Sequence, residues 1–591
     1  MARRLEAGDG FHTTQYHEPG FGLGRVGLRG LGSDIAWNDD RTRCAVVEGE
    51  LYDTGPLRAM LLGAGRHADS DNQAELILGV HERCGLEFLL RLNGAFAVAI
   101  WDRSARALTV FNDRLGLFPI YYARPNGALL FGSGVRALLA DPAVSRRVDL
   151  LSINEFLVFD HVLHDRTFLE SVRLLPQASV LTFRDGQLVI RPYWTLRYPT
   201  VYRRQRDEEY IEQFMHYLRQ AVARQQPGRQ SAAVLLSGGL DSRLLLAPLR
   251  EAGVPVHGFT FGIPGCDDAR VAAEVASALD TEHHFFELKP DWLLEFAAEA
   301  VRRTDGLGNI VNLHAMATLE EECRHTQILY KGFLGDALFG FALKRQMWGD
   351  YEGTDRYDTH LDIHAALDLV LYDRAQQRRL FSDAFRAEVG DSVHRAYREG
   401  LDKASASQLA NERLYFDLTQ RIPRHTLNGV EVVRNRAIAR LPFADNDLLD
   451  FALTVPPGYL FERWLSRMAL ETYYPRLARI PLAGTGRTVG ACARDVVAQA
   501  RGLLSWHLQQ RGLGWLGGPS RRPYKDYSHW FRTTLRSWME DLLLDRRTLE
   551  RGYFNPDFIR QLVSEHVAGA NHATRLGGLL TVELWHRQFV D

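Results

Sequence analysis

Cysteine is scarce in this chain of 591 residues: five are present, at positions 44, 84, 266, 323 and 492. No two form a CxxC pair, and so few in so long a chain make no disulfide framework, which points to a reducing, cytoplasmic setting. Long hydrophobic runs are missing too. No stretch of 18 apolar residues occurs, so no membrane-spanning helix is expected. The opening residues Met1-Ala2-Arg3-Arg4-Leu5-Glu6-Ala7-Gly8-Asp9-Gly10 hold no apolar core, so no signal peptide is expected. Excess charge of one sign is absent: 71 Lys+Arg stand against 73 Asp+Glu, a formal net charge of −2. That removes the general polycation route to nucleic acid or to an acidic membrane. Internal repeats and long low-complexity tracts are absent as well. The chain is 46% apolar and 24% charged, the balance of an ordinary globular protein, with length for two to four domains. A large soluble enzyme is the expectation.

Residues 1–195 read as β-rich. Apolar runs such as Cys44-Ala45-Val46-Val47, Ala95–Trp101 and Ala128-Leu129-Leu130-Phe131 are separated by turn dipeptides, among them Asn93-Gly94 and Asn126-Gly127. The spacing of Ala74, Leu76, Ile77, Val80, Leu86, Phe88 and Leu89 predicts one helix between them. A connector rich in arginine, 197–209, follows. Beyond it a helix over about 208–224 leads to the apolar run Ala232–Leu236, a glycine turn, a helix through Arg250, and a second strand over 254–261. Strand, helix and strand in alternation argue a parallel α/β sheet. From about 360 onward the pattern is mostly helical, broken by a Gly/Pro-rich loop at 511–519.

Two motifs are set aside. Gly22-Leu23-Gly24-Arg25-Val26-Gly27 matches GxGxxG, but more glycines follow and no helix begins, so a glycine-rich hairpin is the reading. His360 and His364 stand four apart without the glutamate of a zinc protease, and are read as a solvated helix face.

The strong signal is Leu235-Leu236-Ser237-Gly238-Gly239-Leu240-Asp241-Ser242, between a strand and a helix. Two glycines let the backbone approach a ligand closely, and the helix presents its positive end to the same spot. The hydroxyls of Ser237 and Ser242 add donors, and Asp241 can hold a divalent cation beside phosphates. The GK[ST] ending of a Walker loop is missing.

This segment resembles the pyrophosphate loop of the ATP pyrophosphatases, which cleave ATP between the α and β phosphates and activate a carboxylate as an acyl-adenylate. Gly332-Phe333-Leu334-Gly335-Asp336-Ala337-Leu338-Phe339-Gly340 is similar to the glycine–acid–Leu-Phe-Gly segment of asparagine synthetases. The resemblance implies ATP and Mg²⁺ as ligands, with Asp241 and Asp336 as the metal carboxylates. It places adenine against Phe259-Thr260-Phe261. Asp267-Asp268-Ala269-Arg270, His283-His284, Asp305 and Arg440–Asp445 follow the family's order; Arg440 matches its arginine best, with Glu431…Arg434 as a rival alignment. Lys331, Arg436 and Arg440 are the candidates to steady an adenylate. The N-terminal part resembles the class II glutaminase domain through Glu48–Asp53, Leu92–Asp102, Asn112-Asp113-Arg114-Leu115-Gly116, Pro119–Tyr122 and Phe131-Gly132-Ser133.

The fold so implied is α/β plus α+β. An Ntn-type, glutaminase-like αββα sandwich occupies 1–200. A parallel-sheet ATP-pyrophosphatase (PP-loop, HUP-like) domain with a helical extension occupies 205–591.

The departures from the family carry the functional expectation. A working glutaminase of this class uses a cysteine exposed by removal of Met1, whereas position 2 is Ala and no cysteine precedes Cys44. Glu48 replaces the Asn of the substrate motif, and the aspartate that reads the glutamine amine falls near Asp71–Gln73. With no ammonia supply, the nucleophile is an amine already on the substrate, as in β-lactam synthetases and lasso peptide cyclases. Phe333 stands where asparagine synthetases carry Glu and β-lactam synthetases Tyr. The family's Arg-x-Lys segment reads Arg479-Ile480-Pro481, and no lysine follows through Arg487. These gaps favour an ATP-dependent macrolactam cyclase of the lasso type. Its implied partners are a precursor core peptide, a leader-binding protein and a leader protease. An asparagine-synthetase-like or β-lactam-type ligase for a small molecule is the alternative, and a silent nucleotide-binding regulator a third reading. The Arg/aromatic-rich segment 506–535 reads equally as a peptide cradle or as a surface loop with aromatic anchors.

Overall fold

Apolar residues on both faces of its strands oblige the N-terminal sheet to be covered on both sides. The computed structural model describes residues 1–5, 11–28, 34–63, 72–228, 230–343, 347, 356–490 and 522–591. The loop at 511–519, Cys492, Asp71 and the first part of the 506–535 segment lie outside the described residues.

The N-terminal strands are β1 (Phe11–Glu18), β2 (Phe21–Leu28), β3 (Ala36–Trp37), β4 (Arg43–Leu51), β5 (Gly94–Asp102), β6 (Ala107–Asn112), β7 (Tyr121–Ala123), β8 (Leu130–Gly132), β9 (Val172–Leu174), β10 (Ser179–Arg184) and β11 (Gln187–Pro192). A six-stranded antiparallel sheet runs β11-β10-β6-β5-β4-β3. Ala45, Val47, Phe96, Val98, Ile100 and Phe111 pack on one face against Leu57, Leu61, Ile77 and Val80 of two helices, Gly55–Leu62 and Gln73–Cys84. The alternate residues Cys44, Ala97, Ala99, Trp101, Leu108 and Leu181 pack on the other face against Leu23 and Ile120. The β1–β2 hairpin and the β8-β7-β9 sheet form that second layer, with the short helix Val135–Leu138 packed against β8. Gly22 to Gly27 lie in β2, paired with β1, so the GxGxxG segment is a hairpin strand. The single helix expected over 74–89 is two, Gln73–Cys84 and Leu86–Leu89. They break at Gly85, whose φ of 76° is open to glycine without strain.

After the helix Asp207–Arg224 come β12 (Ala232–Leu235), β13 (Val256–Gly262), β14 (His283–Glu287), β15 (Ile328–Tyr330) and β16 (Ile438–Arg440). They form one parallel sheet in the order β14-β13-β12-β15-β16. The chain leaves β12 toward β13 on one side and later returns to β15 on the other. The order therefore reverses between β12 and β15, and a crevice opens beyond their carboxyl ends. No described helix is long and apolar enough to cross a membrane.

His360 and His364 correct the sequence expectation: both are fully buried, not solvated. His360 contacts the Glu412 carboxylate at 3.2 Å, and the Arg413 guanidinium lies 2.5 Å from His364 Nδ1. Asp417 accepts from both Arg413 and Arg421. A spacing of four gives both histidines one helix face, but periodicity alone does not say that the face meets a buried ionic network.

Candidate functional site

The turn after β12 and the turn after β15 meet at the switch point. Residues of both line a cavity of about 680 Å³, together with segments 308–314, 421–430 and 524–525.

The first turn is braced from outside. Arg243, fully buried, donates to the carbonyls of Leu477, Ile480 and Pro481 and to that of Gly238 at 3.3 Å. Ala483 N donates to Gly238 O at 3.0 Å, and a side chain at Gly238 would collide with Ala483. Inside, the Gly239 amide donates to Ser237 Oγ at 3.2 Å, and Ser242 Oγ donates to Ser237 O at 3.1 Å. The Gly238 amide donates to the Asp268 carboxylate at 3.1 Å. Asp241 opens the following helix, so its carboxylate sits at the positive end.

The second turn presses against the first. A Cβ at Gly332 would lie 2.8 Å from Asp241 Cβ, and one at Gly335 would lie 2.6 Å from Asp241 Oδ1, so only glycine lets the two turns approach. Leu334 between them is held left-handed at φ 74°, local strain at the point where Asp336 is delivered. Asp241 and Asp336 are near enough to repel each other. Burial lifts the Asp241 carboxyl above its ordinary range, Arg463 opposes the rise and Asp336 adds to it. Both are hard oxygen donors lining one cavity, a donor set that fits Mg²⁺ beside phosphates.

Phe261 faces His314 and Tyr524, with ring centroids at 5.4 Å and 6.3 Å, and these rings line the cavity with Leu235 and Leu236. Such a cleft suits a purine. Thr260 lines the cavity as well, and its hydroxyl donates to Leu236 O at 2.6 Å.

Of the residues proposed to steady an adenylate, Lys331 lines the cavity and the two arginines do not. Lys331 Nζ donates to Gly429 O at 2.6 Å, and burial pushes its ammonium down to about 8. Arg436 is half-exposed and pairs with Glu320. Arg440 leaves the end of β16 toward the N-terminal half and grips the Glu50 carboxylate at 2.8 and 3.2 Å. Arg434, the rival, lies on Phe118 at 3.6 Å and pairs with Glu431. Several motif residues are joints of the same kind. Asn93 donates to Asp445 at 2.8 Å, and Asp305 accepts the backbone amides of Val135 and Arg136. Their regular order in the sequence reflects how the two halves dock.

Sequence reasoning missed four cavity groups. Arg463 forms a two-pronged pair with Asp241, one limb at 3.0 Å. Glu462 and Arg463 both hold positive φ, 52° and 60°, at the entry to the helix Trp464–Tyr473, and no motif marks them. Lys525 Nζ donates to Val311 O at 3.2 Å and contacts Asn312 Oδ1 at 3.4 Å; burial pushes it down to about 8, against the pull of Asp160. The signal available for Lys525 was rarity: the chain has five lysines, at 289, 331, 344, 403 and 525. Arg421 and His425 enter from a π-helical stretch, Asp417–Thr426, a winding that widens the turn and recurs at functional sites. His425 Nε2 lies 3.2 Å from Asp160 Oδ2, and Nδ1 is buried with no hydrogen-bond partner among the described residues.

The N-terminal half holds a second cavity, about 880 Å³, lined by Met1, Ala2, Arg25, Glu48 and Trp101 among others. Among the described residues no cysteine lines it. Arg25 Nε lies 3.2 Å from Glu48 Oε2. Asn112 and Asp113 are scaffold: Asp113 accepts the amides of Phe96, Leu115 and Leu117.

A parallel sheet that sends a phosphate-type loop and two carboxylates to its switch point, behind an antiparallel glutaminase-like sandwich, defines an ATP-dependent ligase that forms carbon–nitrogen bonds. The chain belongs to the asparagine synthase family, which matches residues 213–478 and 519–587, and a glutamine amidotransferase domain matches residues 21–194. The break in the match, 479–518, covers the segment where the family lysine was sought. Among its relatives are two glutamine-hydrolyzing asparagine synthetases of Bacillus subtilis strain 168. Synthetase 3 is 24% identical over 487 residues, 73% of this chain and 74% of that protein. Synthetase 1 is 21% identical over 602 residues, 96% of this chain and 89% of that protein. Asparagine synthetase B of Escherichia coli K12 is 30% identical over 271 residues, 43% of each chain.

Proposed function

We propose that this ligase closes a macrolactam: it joins the N-terminal amine of a core peptide to an Asp or Glu side chain through an acyl-adenylate, as lasso peptide cyclases do. The observation that carries this reading is the N-terminal cavity, where no cysteine stands among the described residues and Glu48 is engaged by Arg25. An enzyme that frees no ammonia from glutamine needs another amine, and a core peptide carries one at its N-terminus.

In this mechanism the loop 237–242 receives the phosphates of ATP, and Asp241 and Asp336 are the residues that would hold Mg²⁺. A Mg²⁺ held there would supply charge neutralisation for the departing pyrophosphate. The substrate carboxylate attacks the α-phosphorus and pyrophosphate leaves. Lys331 and Lys525 face the resulting negative charge. The peptide amine then attacks the acyl carbon, and AMP leaves. His425 lines the cavity with its Nε2 3.2 Å from the Asp160 carboxylate, an imidazole–carboxylate pair suited to take the amine's proton. The cavity holds amine and carbonyl together, and positioning supplies most of the rate.

His425→Ala is expected to slow ring closure by about 10²-fold while ATP–pyrophosphate exchange continues. Equal loss of both activities would show that His425 serves adenylation or folding instead.

The peptide, a leader-binding protein and a leader protease are the proposed partners. A cytoplasmic location accords with four free cysteines at 44, 84, 266 and 323. The second reading, a small-molecule amide ligase, is supported by the asparagine synthetases among the relatives. Two assays separate them. Incubation with ATP and leaderless core peptides is expected to give AMP and a product lighter by one water, with no glutamate from glutamine. AMP formed from aspartate and ammonia without peptide favours the second reading, and glutamate release ends the first.

A further inference from the structure

The opposite edge of the parallel sheet carries a group of histidines that the ligation mechanism does not use. His257 is the second residue of β13, His284 the second of β14, and Glu282 immediately precedes β14. Their amino-terminal ends therefore gather at the edge opposite the nucleotide loops. Among the described residues, these three form the one His/Cys/Asp/Glu group whose ligand atoms all lie within 4.8 Å of one another.

The arrangement is specific. His257 Nδ1 lies 3.3 Å from Glu282 Oε2, and His284 Nε2 lies 3.2 Å from Glu282 Oε1. Both nitrogens are shut off from water, yet neither makes a well-aligned hydrogen bond. Two buried imidazole nitrogens left so cost free energy unless something else occupies the space between them. A tetrahedral ion bound about 2.1 Å from each ligand spaces ligand atoms by about 3.4 Å, and each imidazole nitrogen lies near that range from one Glu282 oxygen, His257 from Oε2 and His284 from Oε1. The ring of His325, 4.2 Å from that of His284, closes one side, and Phe259 and Phe286 pack behind. Glu282 is exposed, which leaves a path for an ion to enter.

We propose that His257, Glu282 and His284 form a zinc site that ties the edge strand β14 to β13. Two imidazoles and a carboxylate suit a borderline divalent metal such as Zn²⁺ better than Mg²⁺ or Ca²⁺, which take all-oxygen shells. With three protein ligands, a fourth position stays open for water or for His325. The role is structural. The site lies about 13 Å along β13 from Phe261, four residues on. It touches the nucleotide cavity through Phe259, which contacts His284 on one side and lines the cavity on the other.

The full chain, stripped with a chelator and titrated with ZnCl₂ by calorimetry, is expected to bind one ion more tightly than about 10 µM. Its melting temperature should rise by several degrees. The double variant H257A/H284A should bind at least tenfold more weakly and lose the shift, and E282Q should weaken binding with the fold unchanged by circular dichroism. Cobalt in the wild type should give the intense visible bands of a tetrahedral site, absent from E282Q. Wild-type protein that binds no zinc in this range, or variants that bind it equally, would overturn the proposal. Neither outcome touches the ligase reading, because Asp241 and Asp336 take no part.

Discussion

Asp336→Ala is expected to lower pyrophosphate release by about 10³-fold, the equivalent of about 4 kcal/mol for one lost metal carboxylate. Among the described residues its carboxylate accepts only the amide of Ala337, so its removal should leave melting temperature and circular dichroism near those of the wild type. That makes Asp336 the cleaner of the two probes. Asp241→Ala also abolishes turnover, but it strips Arg463 of its counterion and leaves a guanidinium buried in the cavity, which destabilises the site on its own account. Activity measured against Mg²⁺ concentration completes the test, because D336A should need far more metal for whatever rate remains. If D336A keeps more than a tenth of wild-type turnover, the two-carboxylate site is wrong.

ATP binding at pH about 8.5 is expected to take up protons, up to about 1.5 per nucleotide. Lys331 and Lys525 are both pushed down to about 8 by burial, against an ordinary value of 10.5. The sign follows from linkage. Between about 8 and 10.5 the free folded protein has lost these protons while the unfolded chain keeps them, so stability of the free protein rises with pH over that window. Below about 8 both states are protonated and the cost of the buried ammonium groups is present in full. A triphosphate reverses the preference, since an anion beside the amine favours its charged form. Calorimetry in two buffers of different ionisation enthalpy reads the uptake directly, and K525M should remove its share of it. K525M should also slow acyl-adenylate formation by about 10²-fold, the loss typical of one fixed donor. K525R should restore charge but not the titration. Heats of binding that are the same in both buffers would refute the assignment.

The two loops were legible in the sequence because each is a short contiguous signature. Strand, Ser-Gly-Gly-Leu-Asp-Ser and helix follow one another within about twenty residues, and Gly332-Phe333-Leu334-Gly335-Asp336 is equally local. Arg436 and Arg440 were read toward the cavity from their place in a family order. Order along the chain says nothing of which way a side chain leaves its strand, and Arg440 leaves toward Glu50, 390 residues away in sequence. Arg463, Lys525 and His425 carry no spacing signature, because each reaches the cavity from a segment distant in sequence from both loops. The same limit explains His360 and His364: helical spacing gives a shared face, and only packing says what covers it.

By itself the sequence determined the class of this protein: a covered antiparallel sheet joined to a parallel one, a phosphate-type loop and a second carboxylate. These follow from local backbone chemistry and hydrophobic alternation, which act over a few residues at a time. The tertiary structure alone decided which charges serve the cavity and which serve the joint between the two halves. A carboxylate finds its cation through space, and the pairs that matter here, Asp241 with Arg463 and Glu50 with Arg440, are separated by 222 and 390 residues.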